Sequence, residues 1–246
     1  MTPRGSRIGG GRKRAPRRPV PSAPRVVAIV AALDEEDSIA ETVKALAGIE
    51  PVSEVVVIAD GSTDRTGEEA AWAGARVMVA PRRLGKGGAV DSALDRVEPG
   101  DVYLLVDGDV GETAAETEAL LQEMVAGRLD LAIGRLPLQE GGGFGLVKAF
   151  SRWAIRTITR FDPEEPLSGQ RAITREALQA CRPLASGFGL ETAMTIDAVR
   201  LGFRVREVPV DMRHRPTGRT LTGFAHRARQ GLDILRAVIP RGFGLR

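Results

Sequence analysis

A single cysteine, Cys181, stands in the 246-residue chain, which excludes an intrachain disulfide and any cysteine-rich metal site and fits a reducing compartment. Its neighbours, Ala177 to Pro183, read as the surroundings of a buried structural thiol rather than a nucleophile. No apolar run approaches the roughly 20 residues that a membrane-spanning helix needs. The stretch Val26–Leu33 has strand length. Acidic residues are missing from positions 1–25, which carry eight cations: Arg4, Arg7, Arg12, Lys13, Arg14, Arg17, Arg18 and Arg25. Taking these eight from the formal net charge of +3 leaves the remainder at −5, so the pI near 9.5 belongs to the tail and not to the body. Residues 1–24, rich in Pro, Gly and Arg, are expected to be a disordered, solvated tail. They lack the apolar segment of a signal peptide. No specific nucleic-acid partner is expected. A Gly-x-Gly-x-x-Gly motif is absent too, which argues against a dinucleotide-dependent dehydrogenase. There are no solenoid-type repeats.

The residues that are present alternate between strand and helix patterns. Strands are predicted at Val26–Leu33, Glu54–Ala59, Arg76–Val79, Val102–Val106, Leu129–Ile133 and Arg204–Pro209. Helices are predicted at Ser38–Ala47, Thr66–Ala73, Gly88–Val97, Ala114–Ala126, Leu146–Phe161, Glu191–Leu201 and Leu221–Ile239, with an irregular stretch after Phe161. Continuous Val/Ile/Leu runs mark strands buried on both faces of a mainly parallel sheet. The predicted fold class is α/β, a mainly parallel central sheet flanked by helices. The expected layout is one domain over 25–240, with a first half at 25–134, a second half at 135–240 and a short tail at 241–246.

In such sheets ligands bind outside the carboxyl ends of the strands. Four chemical signals sit there. The first strand empties into the acidic run Leu33-Asp34-Glu35-Glu36-Asp37, suited to ribose hydroxyls or base edges and also to capping a helix. The second ends in Ala59-Asp60-Gly61-Ser62-Thr63-Asp64-Arg65-Thr66, where Gly61 permits a tight turn, Asp64 or Thr63 can cap the next helix, and Asp60 is left for a nucleoside. The third is Arg82-Arg83-Leu84-Gly85-Lys86-Gly87-Gly88, whose glycines allow close backbone approach and whose Lys86 can counter phosphate charge. It is not a P-loop, because Ala80 occupies the first glycine's place. The fourth is Asp107-Gly108-Asp109 at the end of a buried strand. Two carboxylates there suit Mg²⁺ or Mn²⁺, hard cations that bridge to phosphate.

In this order and spacing, over about residues 25–240, the motifs resemble those of family 2 glycosyltransferases of GT-A fold. Their usual run is an Asn-Glu-Glu loop, an Asp-Asp-Gly-Ser-x-Asp turn, a Gly-Lys-Gly-Gly turn and an Asp-x-Asp. The resemblance implies a GT-A fold and a nucleotide-sugar pocket lined by Leu33, Asp34, Glu35, Asp60, Ser62, Lys86 and Asp107. It also implies a metal on Asp107 and Asp109. The chain departs from the pattern twice: Asp34 stands where Asn is usual, and Ala59 where the first Asp of the turn is usual. Pro166-Leu167-Ser168-Gly169-Gln170-Arg171-Ala172-Ile173 looks like the Ser-Gly-x-Arg acceptor segment of polyprenyl-phosphate hexosyltransferases. Gly187-Phe188-Gly189-Leu190-Glu191, with Val208-Pro209-Val210-Asp211-Met212-Arg213-His214-Arg215, is similar to the C-terminal half of glucosyl-3-phosphoglycerate synthases. That similarity implies His214 as a further metal ligand.

The implied reaction moves a hexose from a nucleotide-diphosphate sugar to a phosphorylated acceptor, either polyprenyl phosphate or a small phospho-acid. The residues expected to carry it are Asp109 and Lys86, which meet the leaving diphosphate, and Glu191, a base for an inverting transfer. A retaining enzyme would not use Glu191 so. Gly169, Arg171, Arg213 and Arg215 are expected at the acceptor, with Arg219 nearby. Lys148, Arg152, Arg156 and Arg160 recur every four residues on one helix, and Leu221, Phe224, Ala228, Leu232, Leu235 and Ile239 stripe another. Basic amphipathic helices lie on anionic membrane or pack on a core. The expected setting is therefore cytoplasmic, with the inner membrane face and a homodimer left open. Two rivals stand: a non-catalytic nucleotide-sugar-binding homologue, and a phosphatase using an aspartyl nucleophile, in which the Asp-x-Asp would sit on the first strand instead of the fourth.

Overall fold

The structure is a computed structural model and describes residues 20–21, 23–80, 82–137, 145–212 and 222–242. Seven strands, β1 (Val26–Ala32), β2 (Val52–Ala59), β3 (Arg76–Val79), β4 (Val102–Asp107), β5 (Leu131–Arg135), β6 (Arg171–Thr174) and β7 (Val205–Pro209), form one sheet in the order β3-β2-β1-β4-β6-β5-β7. Every pairing is parallel except those of β6, which runs antiparallel to both β4 and β5. The mixed α/β architecture predicted from the apolar runs is the one observed.

Alternation along each strand sends successive side chains to opposite faces, and here both faces are covered. Val26, Ala28 and Val30 of β1 with Leu104 and Val106 of β4 pack under helices α1 (Ile39–Ala47) and α4 (Glu118–Val125). Val27, Ile29, Tyr103 and Leu105 pack on the other side against α3 (Lys86–Leu94), α6 (Arg175–Cys181) and α7 (Leu190–Arg200). That two-sided burial is why these strands read as unbroken apolar runs. Cys181 is one of the packing residues of the second layer, as its neighbours suggested. Helix α2 (Thr66–Trp72) lies beside β2 and β3. An outer layer adds α5 (Gly145–Thr159) and α8 (Thr222–Gly242), joined to Ile196 of α7 through Ala154, Ile155, Ile234 and Val238.

Three local departures from the predicted elements bear on the site. The stretch after Phe161 holds strand β6 and helix α6, whose start is capped by Thr174 accepting from the Ala177 N–H at 3.3 Å. Helix α3 begins at Lys86, two residues early, behind Gly85 at φ +74°. The helix predicted from Ala114 is a 3-10 segment over Gly111–Thr117 followed by α4.

Three cations of the predicted four-residue row on α5 are paired from within. Lys148 pairs with Glu165 at 2.5 Å, Arg152 pairs with Asp162 through both ends of the guanidinium at 2.7 and 3.0 Å, and Arg156 reaches Asp162 at 4.0 Å. Outward apolar side chains remain at Trp153 on α5 and at Leu232, Leu235 and Ile239 on α8, while the side chains of Phe224 and Ala228 and all of Leu221 lie outside the described ones. Among the described residues, no helix is long and apolar enough to cross a membrane.

Candidate functional site

The carboxyl ends of β1, β2 and β4 lie side by side, so the loops that follow them share one edge. The first two are laced together. Asp34 sits in the left-handed region at φ +57°, where Asp and Asn are the tolerated side chains after Gly. Its carboxylate accepts the Thr63 N–H at 2.8 Å, and its own N–H donates to Ser62 Oγ at 3.2 Å. Glu35 N–H donates to Thr66 Oγ1 at 2.8 Å, Glu36 N–H to Asp64 at 3.0 Å, and Arg65 N–H returns to Glu36 at 3.0 Å. Burial pushes the Asp64 carboxyl up, but hydrogen bonds from Thr66 and the Glu36 N–H outweigh it and hold it below its ordinary value. Asp64 thus anchors the helix start, as the sequence suggested.

Asp60 does something other than wait for a nucleoside. It is 5% exposed, and its two oxygens accept the N–H groups of Leu84 and Gly85 at 2.6 and 2.7 Å. It therefore holds the turn that delivers Lys86. The helix can start there because Gly87 lies against the Ala185 carbonyl, where any Cβ would overlap the oxygen.

Lys86 is the hub. Its ammonium pairs with Asp107 at the tip of β4 and with Glu191 on the first turn of α7, the latter at 2.8 Å. Burial alone would depress this amine, but the charges and hydrogen bonds of Asp107 and Glu191 outweigh it and raise its pKa above that of an ordinary lysine. Glu191 is 5% exposed and turned to Lys86. The pair places Glu191 to steady the Lys86 ammonium from the α7 side.

Asp107 is gripped from the second half of the chain. The Gln170 side-chain amide donates to Asp107 Oδ2 at 2.8 Å, and Gln170 Oε1 accepts the Asp107 N–H at 3.2 Å. Gly169 lies so close that a Cβ would overlap both Asp107 Oδ2 and Lys86 Nζ. The next residue, Gly108, is held by its carbonyl, which accepts from Ser38 Oγ at 3.2 Å and Thr42 Oγ1 at 3.0 Å. Thr42 Oγ1 also accepts the Gly111 N–H at 2.9 Å, closing the turn that carries the half-buried Asp109. Gln170, Ser38 and Thr42 were not singled out from the sequence. Gln170 lay inside the acceptor motif, and its amide beside Gly169 was the available signal.

Arg171 is turned inward. It is 1% exposed, and its guanidinium donates to Ser168 O and Thr195 Oγ1 at 2.9 Å and to Pro166 O at 3.4 Å. Burial lowers its pKa to about 10 against the pull of Glu191. It shapes the Pro166–Ser168 turn and does not present its charge to a ligand from solvent. Arg213, His214, Arg215 and Arg219 lie outside the described residues. The donor set, two strand-tip carboxylates two residues apart, is of the hard oxygen type that suits a divalent cation such as Mg²⁺ or Mn²⁺. Among the described residues, no group of three His, Cys, Asp or Glu side chains is gathered as a metal site.

Comparison with known proteins bears on the family and the fold. Residues 27–179 match the family model described as Glycosyl transferase family 2. The glycosyltransferase AglJ of Haloferax volcanii is 30% identical over 204 residues, 81% of this chain, and the chain spans 66% of that relative's length. Glucosyl-3-phosphoglycerate synthase of Mycolicibacterium paratuberculosis is 32% identical over 254 residues, covering 91% of this chain and 76% of the relative. The crystal structure of the Mycobacterium tuberculosis synthase with Mn²⁺, uridine-diphosphate-glucose and phosphoglyceric acid superposes with a TM-score of 0.75 at 25% identity, over 90% of this chain and 80% of that one. The expected GT-A fold is therefore observed.

Proposed function

The chain belongs to glycosyl transferase family 2, and from that membership we propose that it moves a hexose from a nucleoside-diphosphate sugar to a phosphorylated acceptor, with Mg²⁺ or Mn²⁺ as cofactor. The observation that carries this reading is the hub itself. Lys86 is fixed between a donor-side carboxylate, Asp107, and a second-half carboxylate, Glu191, at the carboxyl edge of the parallel strands. A cation at this edge would stand near the leaving diphosphate as it gathers negative charge. Asp109, with Asp107 and His214, would hold the divalent cation, which acts as a Lewis acid toward the leaving diphosphate. The laced loops carrying Asp34, Glu35 and Ser62 would line the nucleoside side, and Gly169, packed against Asp107 and Lys86, would border the acceptor side.

A uridine-diphosphate sugar as donor and a small phosphorylated acid as acceptor are supported by the ligands of the tuberculosis synthase. The internal pairing of Lys148, Arg152 and Arg156 also leaves fewer free cations for a lipid surface than the sequence pattern suggested. Contact with anionic lipid or a second copy of the chain would use Trp153, Leu232, Leu235 and Ile239.

The test is nucleotide release by purified protein with MnCl₂ or MgCl₂, offered UDP- and GDP-sugars with 3-phosphoglycerate, with polyprenyl phosphate, or alone. Metal-dependent release that one phosphorylated acceptor stimulates is expected. Nucleotide binding without transfer across the panel would sink this reading in favour of a binding homologue, and phosphate release from simple monoesters in favour of a phosphatase. In the same assay Gly169→Ala should lower transfer about 10²-fold, because its methyl displaces the Asp107–Lys86 pair on the scale of an ångström. Thermal melting should show that this variant remains folded.

A further inference from the structure

We infer that Gln170 is a positioning residue for Asp107, setting the face that this carboxylate offers to the nucleotide–metal ligand; the inference rests on the donor reading above. Gln170 is fully buried and sits one residue before β6, in the segment that returns from the acceptor side to the end of β4. It makes two bonds to the same residue. Its Nε2 donates to Asp107 Oδ2 at 2.8 Å, and its Oε1 accepts the Asp107 N–H at 3.2 Å. Its own backbone is pinned by the Gly134 N–H, which donates to Gln170 O at 2.8 Å.

A carboxylate at a strand tip would otherwise turn about two side-chain torsions. One amide gripping both its oxygen and its backbone N–H fixes the carboxylate plane and directs Oδ1 to Lys86. The residue type follows from the chemistry. The position needs one donor, one acceptor and no charge, which a glutamine side chain supplies. Glutamate would set a second negative charge against Asp107 Oδ2. Lysine or arginine would lack the acceptor and add a cation beside Lys86. Partners of this kind behind a ligand-binding carboxylate typically contribute 10–100-fold to affinity.

The test compares wild type, Gln170→Met and Gln170→Glu, both close in size to glutamine, for binding of UDP in the presence of MnCl₂. Calorimetry gives the affinity, the electron paramagnetic resonance spectrum of Mn²⁺ reports its surroundings, and melting curves fix a temperature at which all three are folded. The expected result is a loss of about tenfold or more in Gln170→Met, a larger loss in Gln170→Glu, and a changed Mn²⁺ spectrum in both. A merely structural amide would leave folded variants binding alike. Wild-type affinity in folded Gln170→Met, or equal affinity in Gln170→Met and Gln170→Glu, overturns the inference while the donor reading stands. Failure of the wild type itself to bind UDP with Mn²⁺ overturns both.

Discussion

Lys86→Met should cost the protein stability and transfer together, the largest double effect of any single change in the site. Removing the ammonium takes their ion-pair partner from both Asp107 and Glu191, whose side chains are 25% and 7% exposed. Breaking a buried charge pair typically costs about 3–5 kcal/mol. Lys86 is itself 21% exposed, so the low end, about 3 kcal/mol, is expected. For a chain of this size that lowers Tm by roughly 6–12 °C. Transfer should fall by about 10²–10³, the usual cost of removing one preorganised group from developing charge. Adding Glu191→Gln to Lys86→Met should recover part of the lost Tm, because it removes the more deeply buried of the two charges that lost the ammonium. A single variant that melts like wild type would show that the three groups do not hold the site. The effect should be flat through neutral pH. The amine is held above the ordinary lysine value in the fold, so its contribution is complete below about 10.4 and is lost only as pH rises beyond that.

Asp109→Asn should abolish metal dependence, with a fall in transfer of about 10³-fold. Asp109 lies two residues past the end of β4 in a turn that Ser38 and Thr42 hold through Gly108, so the backbone should survive the change. The amide keeps the shape of the side chain and loses the charge that a divalent cation requires. Treating the wild type with EDTA should produce the same loss. Readding MnCl₂ should then restore the wild type and leave the variant unchanged. Full Mn²⁺-dependent turnover in the variant would move the metal off Asp109.

The sequence made the parallel core legible because burial on both faces leaves a plain record: unbroken Val, Ile and Leu runs that end in Asp or Gly. It also showed where chemistry gathers, since strand ends in such a sheet are ligand positions whatever the ligand. What it hid was the use of each polar group. Asp60 and Asp107 look equivalent as strand-tip carboxylates, yet one holds the Leu84 and Gly85 N–H groups and the other meets Lys86. Arg171 carries the charge of an acceptor clamp and spends it on Ser168 O, Pro166 O and Thr195. Strand β6 escaped notice because it has four residues, opens on that arginine and is the one antiparallel member of the sheet. Helix α6 had a legible start in Thr174, three residues ahead of the N–H it caps.

The antiparallel entry of β6 beside β5 gives the chain an exchangeable cassette. Ile133 and Arg171 are cross-strand partners, and Gly134 N–H bonds to Gln170 O, so the excursion between them leaves and rejoins the sheet at neighbouring points. A segment with adjacent ends can be lengthened, shortened or replaced without re-threading the strands around it. In this chain that segment carries α5, the acidic loop that binds its cationic row, and Gly169 at its closing edge. This stretch of about 35 residues can therefore change in length and sequence while the order of the sheet stays as it is.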